Sequence, residues 1–250
     1  MLKWFCYVMD IGEQMLISGA EVHRVEESID RMCHALGAVR VDVFIITSSM
    51  VVTIQTDDGK TYTQTRRVTT TNFDFERLHY LNDLSRQICE NKIDESEIEN
   101  RLKKVNECKR FSKWCEIICY GVIAAAFALF FGGSVMEMLT ALFVGTIARF
   151  SVFLAEKIIS NKIFGKFFAA ALVTLLAFFA VKIKWIPTVD KVIMGNIMTL
   201  IPGIGLTNAI RDLFTGDSIA GFLRSIEAVL TALSIAAGYF LVAVLGGFAV

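Results

Sequence analysis

The chain has 250 residues, 25 Lys and Arg against 25 Asp and Glu, and 54% hydrophobic side chains. A net charge of zero excludes a polybasic nucleic-acid binder, and the hydrophobic content is high for a water-soluble domain. The apolar excess lies mostly after residue 113. That shift predicts a soluble α+β domain over 1–110, followed by an all-α transmembrane domain of five helices over 111–250.

Residues 2–36 read as helix, with Phe5, Val8, Met9, Gly12, Leu16, Ile17 and Ala20 at helical spacing. Ser18-Gly19 is a candidate break. Beyond it Val22, Val25, Ile29, Met32 and Cys33 share one face, and Gly37 is a good stop. The polar face carries Glu21, His23, Arg24, Glu26 and Glu27. A catalytic role for His23 would need a nucleophile and an orienting acid. Ser48-Ser49 is near in sequence but has no nucleophile-elbow pattern, so the face reads as solvated or docking and no catalytic residue is expected.

Alternation of Val39, Val41, Val43 and Ile45 predicts a strand, residues 50–56 a second and 61–68 a third. Asp57-Asp58-Gly59 is the hairpin signal between the last two. Residues 73–90 and 96–108 read as helices, the second with Asp94 as a cap. Cys6, Cys33, Cys89, Cys108, Cys115 and Cys119 contain no C-x-x-C pair and have no His cluster beside them. They read as free thiols in a reducing compartment, and neither a metal nor a cofactor is expected. The start of the chain lacks the apolar core and cleavage site of a secretory signal.

Membrane spans are expected near residues 114–131, 134–155, 167–185, 192–206 and 226–247. Lys109, Arg110, Lys113, Lys157, Lys162, Lys166, Arg211 and Arg224 fall on one side of this arrangement. Lys182, Lys184 and Lys191 fall on the other, a bias that places the N-terminal domain in the cytoplasm. No phosphate loop of the GxxxxGK[ST] type occurs, which argues against ATP drive within the chain.

The fourth span is the unusual one. It runs MGNIMTLIPGIGLTNAIRDLFTGD from Met194 to Asp217. Pro202, Gly203 and Gly205 are expected to form an unwound hinge, and irregular backbone at membrane depth survives only in protein or beside a wet cavity. A Gly/Pro-interrupted apolar segment points to a transporter's substrate site. Asn196 and Thr199 read as substrate contacts or as interhelical hydrogen bonding. Asn208, Arg211 and Asp212 follow. Arg211 is a candidate clamp for a carboxylate, with pairing to Asp212, Asp217 or the phosphate of a membrane lipid as the alternative. Glu137 and Arg149 interrupt the second span and are candidates for ion or proton coupling. Glu227 joins them, against the alternative of a local ion pair with Arg224.

SGAEVHRVEESIDRMCHALG, the following VDVFIITSSMVVTI and the Pro-Gly segment resemble the threonine/serine exporter family, in order and over nearly the whole chain. The resemblance implies a bacterial cytoplasmic-membrane secondary transporter that exports threonine, serine or, in one branch, succinate. The family also has a fused form with about twice as many spans as are expected here. The chain therefore resembles the larger subunit of a split exporter, expected to act with a small second membrane subunit or as a homo-oligomer. The alternative is a non-transporting regulatory or scaffold subunit with a ligand-sensing cytoplasmic domain. A membrane-anchored hydrolase is weaker, because no nucleophile constellation is present.

Overall fold

A computed structural model describes residues 2–90, 92–93, 95–107, 112–158 and 162–246. Asp94, Cys108, Lys109 and Arg110 lie outside the described residues, as do the side chains of Lys157 and Lys162. The chain is mostly helical with one small sheet, and divides into two compact units: residues 1–109 with 204–225, and residues 110–203 with 226–250.

In the first unit, α1 (Lys3–Ile17) and α2 (Val22–Ala35) are separated at Ser18-Gly19. Gly19 adopts φ +92°, and a Cβ there would sit 2.6 Å from the Phe73 ring. The chain turns where only glycine is both unstrained and small enough. Strands β1 (Ala38–Ile46), β2 (Ser49–Thr56) and β3 (Thr61–Arg67) form an antiparallel sheet in the order β1-β2-β3. Gly59 at φ +76° closes the hairpin between β2 and β3. Helices α3 (Phe75–Cys89) and α4 (Glu95–Glu107) follow, and Asp74 caps α3 by accepting the Arg77 amide at 3.0 Å.

One core gathers the apolar faces of these elements: Phe5, Met9 and Met15 of α1, Ile29 and Met32 of α2, Met50 and Ile54 of β2, Leu81 and Ile88 of α3, and Ile98 of α4. Gly12 lets α1 approach α2, since a Cβ there would lie 2.6 Å from Ile29 Cδ1. Helix α9 (Gly203–Thr215) and the first turns of α10 (Ser218–Leu245) belong to this unit, and Ala220 joins its core. They form a tight helical corner. Gly216 turns at φ +101°, and a Cβ on Gly221 would meet the Ala209 carbonyl oxygen at 2.8 Å.

The second unit holds α5 (Lys113–Phe130), α6 (Val135–Ile158), α7 (Lys162–Lys182), α8 (Asp190–Leu200) and the rest of α10. Four described helices, α5, α6, α7 and α10, are long and apolar enough to cross a membrane, and five spans result if the broken pair α8 and α9 counts as one. Helix α7 begins at Lys162 rather than near 167, and α10 at Ser218 rather than near 226. Charged residues near these starts, Lys162 and Lys166 in α7 and Arg224 in α10, set the narrower bounds read from hydropathy. The interior of this unit is small: Ala124, Ala128, Ala141, Ala148, Ala169, Ala170 and Ala177 are buried. Large apolar side chains point outward instead, Phe130, Phe143, Phe179 and Phe240 among them. Close backbone approach through small residues is how helices associate where the solvent is itself apolar.

Candidate functional site

The seam between α5, α6 and α8 is built on three glycines. A Cβ on Gly121 would lie 2.6 Å from the Leu142 carbonyl oxygen, and one on Gly195 would lie 2.6 Å from that of Ala124. Gly145 leaves the space that the Asn196 side chain enters, since a Cβ there would stand 2.8 Å from Asn196 Oδ1. Asn196 is thereby 1% exposed. Its Nδ2 donates to the carbonyls of Val192 at 2.8 Å and Ala141 at 3.4 Å. Its Oδ1 is buried and accepts no hydrogen bond among the described residues. An unfilled buried acceptor costs about 1–3 kcal/mol, so the position asks for a reason. A hydroxyl or ammonium group would fill it.

One turn on, Thr199 Oγ1 donates to the Asn196 carbonyl at 2.7 Å. The helix then ends. Ile201 is extended at φ −67°, ψ 131°, and Pro202 has no amide to continue the ladder. The break is shorter than the sequence suggests. Gly203 and Gly205 are not unwound but form the first turn of α9. Proline ahead of a first turn costs no hydrogen bond there, which lets the helix restart at once.

The polar residues after the break turn to the entry of α2. Glu21 occupies the N-cap of that helix but caps no amide with its side chain. Asp212 does so instead: it is fully buried, and its Oδ1 accepts the Val22 amide at 3.3 Å. Carboxylate charge at a helix N-terminus meets both free amides and the helix dipole. Arg224 Nη1 lies 3.1 Å from Asp212 Oδ2, and its Nη2 donates to the Ala20 carbonyl at 3.0 Å. Asn208 Nδ2 donates to the Gly19 carbonyl at 3.2 Å, and Arg211 pairs with Glu21. Two expected pairings are therefore corrected. Arg211 takes Glu21 rather than Asp212 or Asp217, and Arg224 takes Asp212 rather than Glu227, because the α9–α10 corner folds onto α2. Behind this face, Glu26 Oε1 accepts the Ile45 amide at 2.9 Å, tying α2 to β1. Burial pushes the Glu26 carboxyl above its ordinary value, while the Ile45 bond pulls it back.

The coupling candidates fall in three different settings. Glu137 is 5% exposed, and both its oxygens are occupied. Oε2 accepts the amide and hydroxyl of Ser134 at 2.8 and 2.9 Å, and Oε1 accepts the Thr188 hydroxyl at 3.0 Å. The Glu137 amide in turn donates to Ser134 Oγ at 3.3 Å. This is a capping box at the start of α6, and Ser134-x-x-Glu137 ahead of an apolar run is its sequence signature. Arg149 pairs with Glu116 of α5 and stands 4.9 Å above the Tyr120 ring. Glu227 is exposed, and among the described residues no ion pair to it is found. A groove of about 570 Å³ in the helical unit is lined by Phe178, Lys182, Thr188 and Asp190, and it does not reach Asn196.

A family model described as "Putative threonine/serine exporter" (ThrE) matches residues 6–246. Two curated relatives are similar over most of their length, each named "Probable succinate transporter subunit YjjP". The one from Klebsiella aerogenes is 24% identical over 222 residues, covering 87% of this chain and 84% of the relative. The one from Escherichia coli K12 is 25% identical over 226 residues, covering 88% and 86%. No solved structure matches.

Proposed function

The chain belongs to the threonine/serine exporter family, and from that premise we propose that it is a multi-pass membrane transporter for small carboxylate-bearing metabolites. The family description supports threonine or serine as cargo, and the names of the relatives support succinate. Those relatives are described as subunits, which supports action with a second, small membrane subunit or with further copies of the chain. The bacterial origin of the relatives supports a bacterial cytoplasmic membrane, and the bias of basic residues supports residues 1–110 on its inner side.

The observation that carries the site is Asn196. A buried amide with an open acceptor, on a helix that breaks a few residues later, supports a contact with a substrate hydroxyl or ammonium group. Thr199 and the backbone at Pro202 complete the proposed contacts, and amides at the start of α9 favour a carboxylate. Asn208, Arg211 and Asp212 are engaged with α2 and hold the segment that follows. Among the coupling candidates Glu227 is favoured. Glu137 and Arg149 already have their partners, while among the described residues Glu227 has no ion-pair partner and would be open to a proton or ion.

The test is efflux from cells loaded with a threonine-containing dipeptide, with succinate efflux followed in parallel. Deletion of the chain is expected to slow one of the two at least severalfold, and restored expression to recover it. Unchanged efflux of both would end the transport reading.

A further inference from the structure

We propose that His23, Glu26 and Asp217 bind a divalent first-row metal ion, zinc or manganese. His23 and Glu26 are three residues apart on α2 and so project from one face. Asp217 precedes α10, and its backbone is fixed: its amide donates to the Asp212 carbonyl and its carbonyl accepts the Gly221 amide, both at 2.9 Å. One ligand atom from each of the three side chains lies within 4.8 Å of the other two. Zinc ligands at about 2.0–2.2 Å stand roughly 3.5 Å apart in a tetrahedron, so side-chain rotation of about 1 Å closes the set.

Two further observations point to a cation. Asp217 Oδ2 is buried and accepts no hydrogen bond among the described residues. Among the described residues, neither Glu26 nor Asp217 forms an ion pair with a Lys or Arg. Of the arginines on the α9–α10 side, Arg211 pairs with Glu21 and Arg224 with Asp212, and no ion pair joins Arg24 of α2 to either carboxylate among the described residues. Two close carboxylates and an imidazole with no Lys or Arg partner are a donor set for a divalent ion rather than an ion-pair network. The Ile45 amide holds Glu26 Oε1 at 2.9 Å, which orients the carboxylate and leaves Oε2 to coordinate. His23 is exposed, so the ion keeps an open position toward water. Bound there, it ties α2 to the turn between α9 and α10.

The site is tested on the full chain purified in detergent, stripped by a chelator, with accessible thiols blocked by N-ethylmaleimide. Zinc chloride or manganese chloride is then titrated alone by calorimetry. One equivalent per chain of at least one ion is expected. His23→Ala and Asp217→Asn should each weaken it at least tenfold, while His79→Ala leaves it unchanged. His23 is exposed, so its loss does not depend on refolding. Absence of saturable binding by either ion, or wild-type binding in both variants, overturns the site. The assay reads metal alone, so its failure leaves the transport reading standing.

Discussion

The two units solve the packing problem in opposite ways. In the unit built on α1 to α4, the fully buried side chains are large, Phe5, Met9, Met32 and Leu81 among them. Water drives that burial, at roughly 25 cal/mol per Å² of apolar surface. In the unit built on α5 to α8, alanine and glycine are inside and phenylalanine outside. No hydrophobic drive separates a lipid-facing leucine from a buried one, so backbone proximity and hydrogen bonds must specify the contacts. The first unit should therefore tolerate change by degrees, and the second should fail abruptly where a methyl group meets main chain.

The largest effect is expected from Gly195→Leu. Its Cβ would press on the Ala124 carbonyl and the Ala128 amide, which are backbone and cannot swing aside. Folded protein in the membrane, measured by fluorescence-detected size exclusion, should fall below a tenth of wild type. Near-normal abundance would show that the α5–α8 seam is not as close as the structure places it. Next is Asp212→Ala, which strips the cap from Val22 and leaves the largely buried Arg224 with the Ala20 carbonyl but no countercharge from Asp212. A loss of about 3 kcal/mol is expected in denaturant unfolding, with Asp212→Asn costing less because it still accepts the amide. Equal losses in the two would mean that charge, not capping, dominates.

Asn196→Leu should behave differently again. It removes the buried unfilled oxygen at similar volume, so stability is expected to stay within about 1 kcal/mol of wild type. Efflux should nevertheless drop at least tenfold at equal abundance, and normal efflux would remove Asn196 from the site. The smallest effect is at the β2–β3 hairpin. Lys60, helped by Thr56, holds the Asp58 carboxyl at about 2, below its usual 3.8. A depressed carboxylate contributes stability above its unfolded pKa, and loses it as pH falls through the folded one. The Asp58 carboxyl resonance should titrate near 2 in wild type and return toward 3.8 in Lys60→Met. An unmoved midpoint would break the assignment.

Much of this arrangement was legible in the residue order. Helical spacing marked α1 to α3, alternation marked β1, and Asp57-Asp58-Gly59 marked the hairpin between β2 and β3, because these patterns act over a few residues. The Ser134-to-Glu137 box was equally local, and its S-x-x-E spacing was the available signal for a structural role. Distance in sequence defeated the rest. Arg224 has Glu227 three residues away, yet pairs with Asp212 because Gly216 and Gly221 fold α9 back against α10. Val22 has Glu21 at its N-cap, yet takes its cap from a side chain 190 residues on.

Composition and periodicity were enough to divide the chain into charged and apolar parts, mark most of its helices and strands, and locate the interruption at Pro202. Those features follow from local backbone preference and from the solvent each segment can enter. The partners of Asp212, the open oxygen of Asn196 and the meeting of His23 with Asp217 depend on which helices approach within contact distance. That approach is controlled by clearances of a few tenths of an ångström at Gly145, Gly195 and Gly221, and hydropathy carries no trace of them.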